Sequence, residues 1–284
     1  MDCERIAAES PPGGPATWEL SERAIRGYSQ RLLAHGFRPT LFLTPECAAQ
    51  HADLLTSLAG QGVELGMHCH PQSLADHRYG RYLGEYDAAT QREILALATE
   101  MLTEAIGTRP VSFRPGNFSA NDATYGVLYD LGFQQGSVSD PGRFCPQYAA
   151  IWVGAYPDPH YVNPTNKLVV GDLLFLEVPL TTDPEHRRPN GFPYELRIEQ
   201  GPFETWQKPI LEKALRRLEG EQVGFPALCI FTHNVFPYDQ PDDPRTITVQ
   251  EMLDYLANLG RREEILPSTL QEIHTHYRAY LRRR

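Results

Sequence analysis

Cysteine, positive charge and unbroken apolar sequence are all scarce in this chain of 284 residues. The five cysteines (Cys3, Cys47, Cys69, Cys145 and Cys229) are odd in number, scattered and never spaced as CxxC. That excludes a disulfide framework and a thiolate zinc site, and they read as reduced thiols of a cytoplasmic protein. Lysine and arginine number 26 against 36 acidic residues, a net charge of −10. Duplex nucleic acid demands a basic surface, so a nucleic-acid partner is not expected. No run approaches the ~18 apolar residues of a membrane span. The opening Met1-Asp2-Cys3-Glu4 lacks the basic and apolar segments of an export signal, so neither a membrane nor a secretory destination is expected. The glycine signatures GxGxxG and GxxxxGK with Ser or Thr are missing, which leaves nucleotide-cofactor binding without support.

Apolar residues make up 41% and charged residues 22%, a globular composition. The 24 prolines and 22 glycines follow no period. The periodicity predicts helices over 21–35, 48–58, 87–107, 121–131, 203–218, 249–259 and 270–281. It predicts short strands over 40–43, 63–67, 110–113, 133–138, 173–178 and 227–231. Strands alternating with helices imply a mostly parallel sheet with helices outside, either an open sheet or a barrel, and a β/α barrel of ~250 residues fits the length. No composition shift marks a second domain, so 1–284 reads as one. The stretch 140–171 stands apart, with five prolines, three tyrosines and Trp152. An irregular segment that long inside a compact domain is usually functional.

The reactive residues follow strand ends. His68 and His70 come just after the strand 63–67, Arg114 after 110–113, Asp140 after 133–138, and His233 after 227–231. In β/α folds ligand and catalytic groups gather at the carboxyl ends of the strands, so four strands delivering such groups to one rim mark that rim as a candidate site. His68 and His70 are two apart, and in an extended chain both imidazoles face one side and suit a shared metal. Asp2 and Glu4 have the same spacing and offer a carboxylate; otherwise they are solvated residues of a frayed terminus. Arg114 is suited to clamp a carboxylate, or else makes a surface ion pair. His233 is placed to exchange protons near neutral pH, or else packs neutral in the core. Trp152, Tyr156 and Tyr161 either stack against a sugar or pack their loop down.

In order and context these residues resemble the polysaccharide deacetylase (NodB homology, carbohydrate esterase 4) family. Gly62 to His68 resembles the strand that leads to its metal-binding histidines. Phe113-Arg114-Pro115-Gly116-Asn117 resembles its FRPPxG motif, Leu176-Glu177-Val178-Pro179 a strand before its last motif, and Ile230-Phe231-Thr232-His233 the strand of its general acid. The resemblance spans residues 2 to about 275. It implies a distorted (β/α)7 barrel with its first strand missing or truncated, and a divalent metal, best matched by Zn²⁺. It implies metal-dependent hydrolysis of a carbon–nitrogen bond, chiefly N-deacetylation of an amino sugar or polysaccharide. By that resemblance Asp2 is the base, Glu4, His68 and His70 are metal ligands, and His233 is the general acid; Asp2 and Glu4 are exchangeable. Arg114 would orient Asp2, and Asp140 would orient Arg114. The family motif HxxxH is altered, since Gln72 stands four after His68, which leaves His70, Gln72 and His77 as candidates to complete the metal site. Relatives acting on cyclic amides or ureides make a small amide an alternative substrate, and a carbohydrate-binding relative without activity is a third reading.

Overall fold

The computed structural model describes residues 1–10, 12–74, 78–261 and 263–283. A seven-stranded sheet forms the centre, built from β1 (Asp2–Cys3), β2 (Thr40–Leu43), β3 (Glu64–Cys69), β4 (Ser112–Pro115), β5 (Gln135–Gly136), β8 (His160–Val162) and β9 (Leu173–Glu177). The strand order is β1-β2-β3-β4-β5-β9-β8. Every neighbouring pair is parallel except β8 with β9. Two small antiparallel hairpins stand off the sheet: β6 (Phe144–Cys145) with β7 (Ala150–Ile151), and β10 (Thr182–Arg187) with β11 (Pro193–Glu195). The helices are α1 (Trp18–Ala34), α2 (Pro45–Gln50), α3 (Ala52–Ala59), α4 (Ala88–Ile106), α5 (Thr124–Asp130), α6 (Gln207–Gly220), α7 (Pro244–Leu259) and α8 (Leu270–Leu281).

Local chemistry explains the main boundaries. The Thr17 side chain accepts from the Leu20 N–H and starts α1, and Asp87 does the same for α4 through Thr90. Gly107 ends α4 in a left-handed conformation. The expected apolar stripe of α1, with Ala24, Ile25, Tyr28 and Leu32, is buried. It joins Leu41, Leu55, Phe113, Phe133 and Phe175 in one core between sheet and helices. The helix expected over 48–58 is instead two helices that meet at His51.

The sheet curls back toward β1. Asp2 N–H donates to the Thr232 carbonyl (2.8 Å), and Asn234 N–H donates to the Asp2 carbonyl (3.1 Å). The strand expected over 227–231 is not formed; Phe231 and His233 make only isolated bridges, to Arg197 and Asp2. The reason is the lack of a ladder partner, because β1 pairs over two residues and offers nothing alongside Ala227 to Ile230. The first strand, Asp2–Cys3, spans two residues, and the fold is the distorted β/α barrel that the family resemblance implied. No helix among the described residues is long and apolar enough to cross a membrane.

Candidate metal centre and active site

The register of the central strands brings the site together. His68 on β3 lies opposite Arg114 on β4, and Asp2 on β1 lies beside His233. Side chains two apart in an extended chain share a face. His68 and His70 therefore turn to the same side, and so do Asp2 and Glu4, while Cys69 and Cys3 are buried in the core.

Glu4, His68 and His70 form a buried cluster whose ligand atoms all lie within 4.8 Å of one another. Glu4 Oε1 is 3.1 Å from His68 Nε2 and 3.0 Å from His70 Nε2. The donors around a tetrahedral zinc with bonds of ~2.0–2.1 Å stand about 3.3 Å apart, close to this spacing. The other Glu4 oxygen, Oε2, is buried and has no hydrogen-bond partner among the described residues. One carboxylate and two imidazoles, with an unpaired oxygen among them, fit a divalent cation. His68 Nδ1 lies 2.9 Å from the Arg114 carbonyl. A proton on Nδ1 donated there leaves Nε2 as the free ligand atom. Burial alone would raise the Glu4 carboxyl, but the attraction of His70 and His68 prevails and holds it well below the usual range.

Two residues set this geometry from outside the cluster. Asn234 clamps the Glu4 backbone: its Oδ1 accepts from Glu4 N–H (2.8 Å) and its Nδ2 donates to the Glu4 carbonyl (3.1 Å). The His70 ring lies against the backbone of Gly116, where an added Cβ would come within 2.3 Å of Nδ1. Only glycine permits that approach. The Gly116→Ala variant is expected to push His70 off its position and weaken metal binding about 10–100-fold, as measured by competition with a chelator. Unchanged affinity would remove His70 from the ligand set.

Asp2 is buried between two further groups. Arg114 donates from Nη1 to Asp2 Oδ1 at 2.8 Å. Its Nε and Nη2 bond to the Ser137 carbonyl and hydroxyl, and the Phe42, Phe118 and Phe231 rings surround it. Burial pushes the Asp2 carboxyl up, but Arg114, with His68 and His233, outweighs it and keeps the group ionised. His233 Nε2 stands 4.0 Å from Asp2 Oδ2. Its Nδ1 is held 2.6 Å from Glu199 Oε1, and Arg197 Nε fixes the same oxygen at 2.7 Å.

Six of the candidate residues therefore converge: Asp2, Glu4, His68, His70, Arg114 and His233. Gln72 is buried nearby in sequence with Oε1 unpaired, and His77 lies outside the described residues. Asp140 does not orient Arg114. It lies 3.2 Å from Arg143, and burial together with the adjacent Glu195 carboxyl raises it well above the carboxylate range. The residue turns away because Ser137, not Asp140, fills the space beside the Arg114 guanidinium.

The expected aromatic wall is not built either. Trp152 is fully buried, donating its indole N–H to the Phe118 carbonyl, with Lys167 over its ring. Tyr161 packs against His274 and Tyr277 of α8. Tyr156 alone of the three keeps a well-exposed ring, set edge-on to His160. The sequence reading missed Glu199, Arg197 and Asn234, which carry no local motif. Asn234 follows the end of the strand expected over 227–231, whereas Arg197 and Glu199 lie in an irregular stretch with no such signal.

Residues 25–136 match the family model described as polysaccharide deacetylase. That segment carries His68, His70 and Arg114; Asp2, Glu4 and His233 lie outside it. Among solved structures, a putative polysaccharide deacetylase from Mycobacterium smegmatis is 18% identical, with 92% of this chain and 77% of that one covered and a TM-score of 0.56. A probable polysaccharide deacetylase from Pseudomonas aeruginosa PAO1 is 19% identical over 91% and 74% of the two chains, with a TM-score of 0.56. An allantoinase is 19% identical over 92% and 74%, with a TM-score of 0.58. At such identities the likeness is one of fold. No curated protein matches the chain. The resemblance to polysaccharide deacetylases read from the motifs is borne out.

Proposed function

We propose that this chain, taken as one domain over 1–284, is a metal-dependent hydrolase that removes the acetyl group from an N-acetylated amino sugar or polysaccharide. The match to the polysaccharide deacetylase family supports the reaction class. The observation that carries the reading is the buried Glu4–His68–His70 cluster beside two differently tuned groups, Asp2 with Arg114 and His233 with Glu199. The donor set of one carboxylate and two imidazoles suits Zn²⁺. All five cysteines are free thiols, which supports a cytoplasmic setting.

Glu4, His68 and His70 would hold the ion. When bound, it supplies an activated water near neutral pH and polarises the amide carbonyl. Asp2 takes the water proton at Oδ2, since Oδ1 is committed to Arg114. Arg114 keeps Asp2 ionised and aimed, and so acts as a positioning residue. As the tetrahedral adduct collapses, His233 gives a proton from Nε2 to the leaving nitrogen. Glu199 holds Nδ1 and thereby presents Nε2 to the site.

The test is metal analysis of the purified protein followed by an acetate-release assay on N-acetylated amino sugars. One bound metal and metal-dependent acetate release are expected. Absence of bound metal with no rescue by added Zn²⁺ would sink the hydrolase reading and leave a carbohydrate-binding protein. Release of ammonia or a ureide from a cyclic amide, without acetate release, would favour the small-amide reading instead.

A further inference from the structure

Beside His233 the rim opens into a shallow, solvent-open cavity of about 510 Å³, lined by Arg188, Arg197, Glu199, Gln200 and Trp206. That volume lies within the range of small-molecule sites. Glu199 and Arg197 are the residues that hold His233, so the cavity adjoins the reaction centre.

The cavity lining carries two guanidinium groups, Arg188 and Arg197, against one carboxylate, Glu199. Arg143 is paired with Asp140 and Glu195, and Arg197 with Glu199 and Glu195. Arg188 belongs to the same electrostatic neighbourhood. Arg188 is the group left over. Among the described residues it makes no ion pair, and its Nε and Nη2 are buried with no hydrogen-bond partner. Arg188 as a whole is half-buried, yet a guanidinium stays charged, and its two shielded N–H donors are open to an anion that a ligand supplies.

The fold places this arginine deliberately. The β10–β11 hairpin turns back through Arg188 N–H to the Phe192 carbonyl (2.8 Å) and Gly191 N–H to the Arg188 carbonyl (3.0 Å). Gly191 sits at φ 84°, with the Phe144 carbonyl 2.4 Å from where a Cβ would stand, so the tip is pressed onto β6. The guanidinium lies 5.0 Å from the Trp206 ring centre, and Trp206 stacks on Tyr194 at 4.5 Å. The Trp206–Tyr194 stack thus holds the Arg188 guanidinium in place, and its unmet N–H donors suit an oxyanion.

We propose that Arg188, with Arg197 and Trp206, forms an oxyanion subsite beside His233, so that the substrate is an N-acetylated sugar carrying a phosphate or carboxylate group. The proposal rests on the hydrolase reading above and names its substrate class. The net charge of −10 favours a neutral sugar only while the charge is averaged over the surface; the cavity itself is locally positive.

The test has two arms on the metal-loaded protein. In the first, inorganic phosphate is titrated calorimetrically into wild type, Arg188→Gln and Arg188→Lys, with circular dichroism melts to check folding. Binding is expected in wild type and at least about tenfold weaker in Arg188→Gln, with Arg188→Lys between them. Equal binding to all three would place phosphate elsewhere, at the metal for example, and overturn the subsite. In the second arm, kcat/KM is compared for an N-acetylated sugar that is neutral, phosphorylated or a uronate. An anionic substrate is expected to be preferred at least about tenfold, with the ratio collapsing toward one in Arg188→Gln. Equal ratios in wild type would overturn the proposal, and the phosphate and uronate arms identify which oxyanion it takes. If no N-acetylated sugar is turned over, the hydrolase reading fails, and the phosphate titration still decides whether Arg188 binds anions.

Discussion

The Glu4→Gln variant is expected to purify without stoichiometric metal and to lose at least about a thousandfold in acetate release, because the activated water near neutral pH goes with the ion. Among the described residues, Glu4 is the one carboxylate that touches both imidazoles, through Oε1 at 3.1 and 3.0 Å. Glutamine keeps the volume and can still bond to a histidine. The Asn234 clamp also survives, since it grips the Glu4 backbone and not its side chain. The thermal midpoint should therefore move little while metal content collapses, which separates loss of the ion from loss of the fold. Asp2→Asn is the companion measurement. The Asp2 carboxylate is tied to Arg114 through Oδ1, so this variant should keep its metal and lose turnover. Metal loss in Asp2→Asn, with retention in Glu4→Gln, would exchange the two roles.

Replacing His233 with alanine should leave the metal in place and lower kcat by about 10²–10⁴-fold, the usual weight of a positioned general acid. His233 is outside the Glu4–His68–His70 cluster. Its Nδ1 is committed to Glu199, which leaves Nε2 to work in the site. Glu199 stays paired with Arg197 when the imidazole is gone, so no buried charge is stranded and folding should be preserved. Metal analysis and steady-state kinetics on the same preparation decide the matter. If the metal is lost along with turnover, His233 is a ligand and the assignment is wrong. Wild-type kcat would remove it from the proton path.

Much of this site was legible because its key pairs are local. The two-residue alternation of an extended chain puts His68 with His70, and Asp2 with Glu4, whatever the rest of the fold does. Arg114 and His233 were legible for a related reason, since each follows an apolar segment with strand-like sequence. Glu199, Arg197 and Asn234 were not. Glu199 reaches His233 across 34 positions, and Asn234 reaches Glu4 across 230. Nothing in a short window encodes either contact. Trp152 failed for a different reason: an indole in an irregular loop serves equally well as a stacking face or as a plug, and here burial decides for the plug.

The same division runs through the fold. Periodicity and capping residues are short-range signals, so most of the helices and parallel strands follow from the chain alone, as does the placing of His68 with His70. Two outcomes depended on what lies alongside. Residues 227–231 have strand-like sequence but no ladder, because β1 supplies only two residues of partner. The overall charge is −10, yet the cavity beside His233 keeps an unpaired guanidinium. Composition sums charge over the whole surface, and only packing determines which buried charges meet a partner.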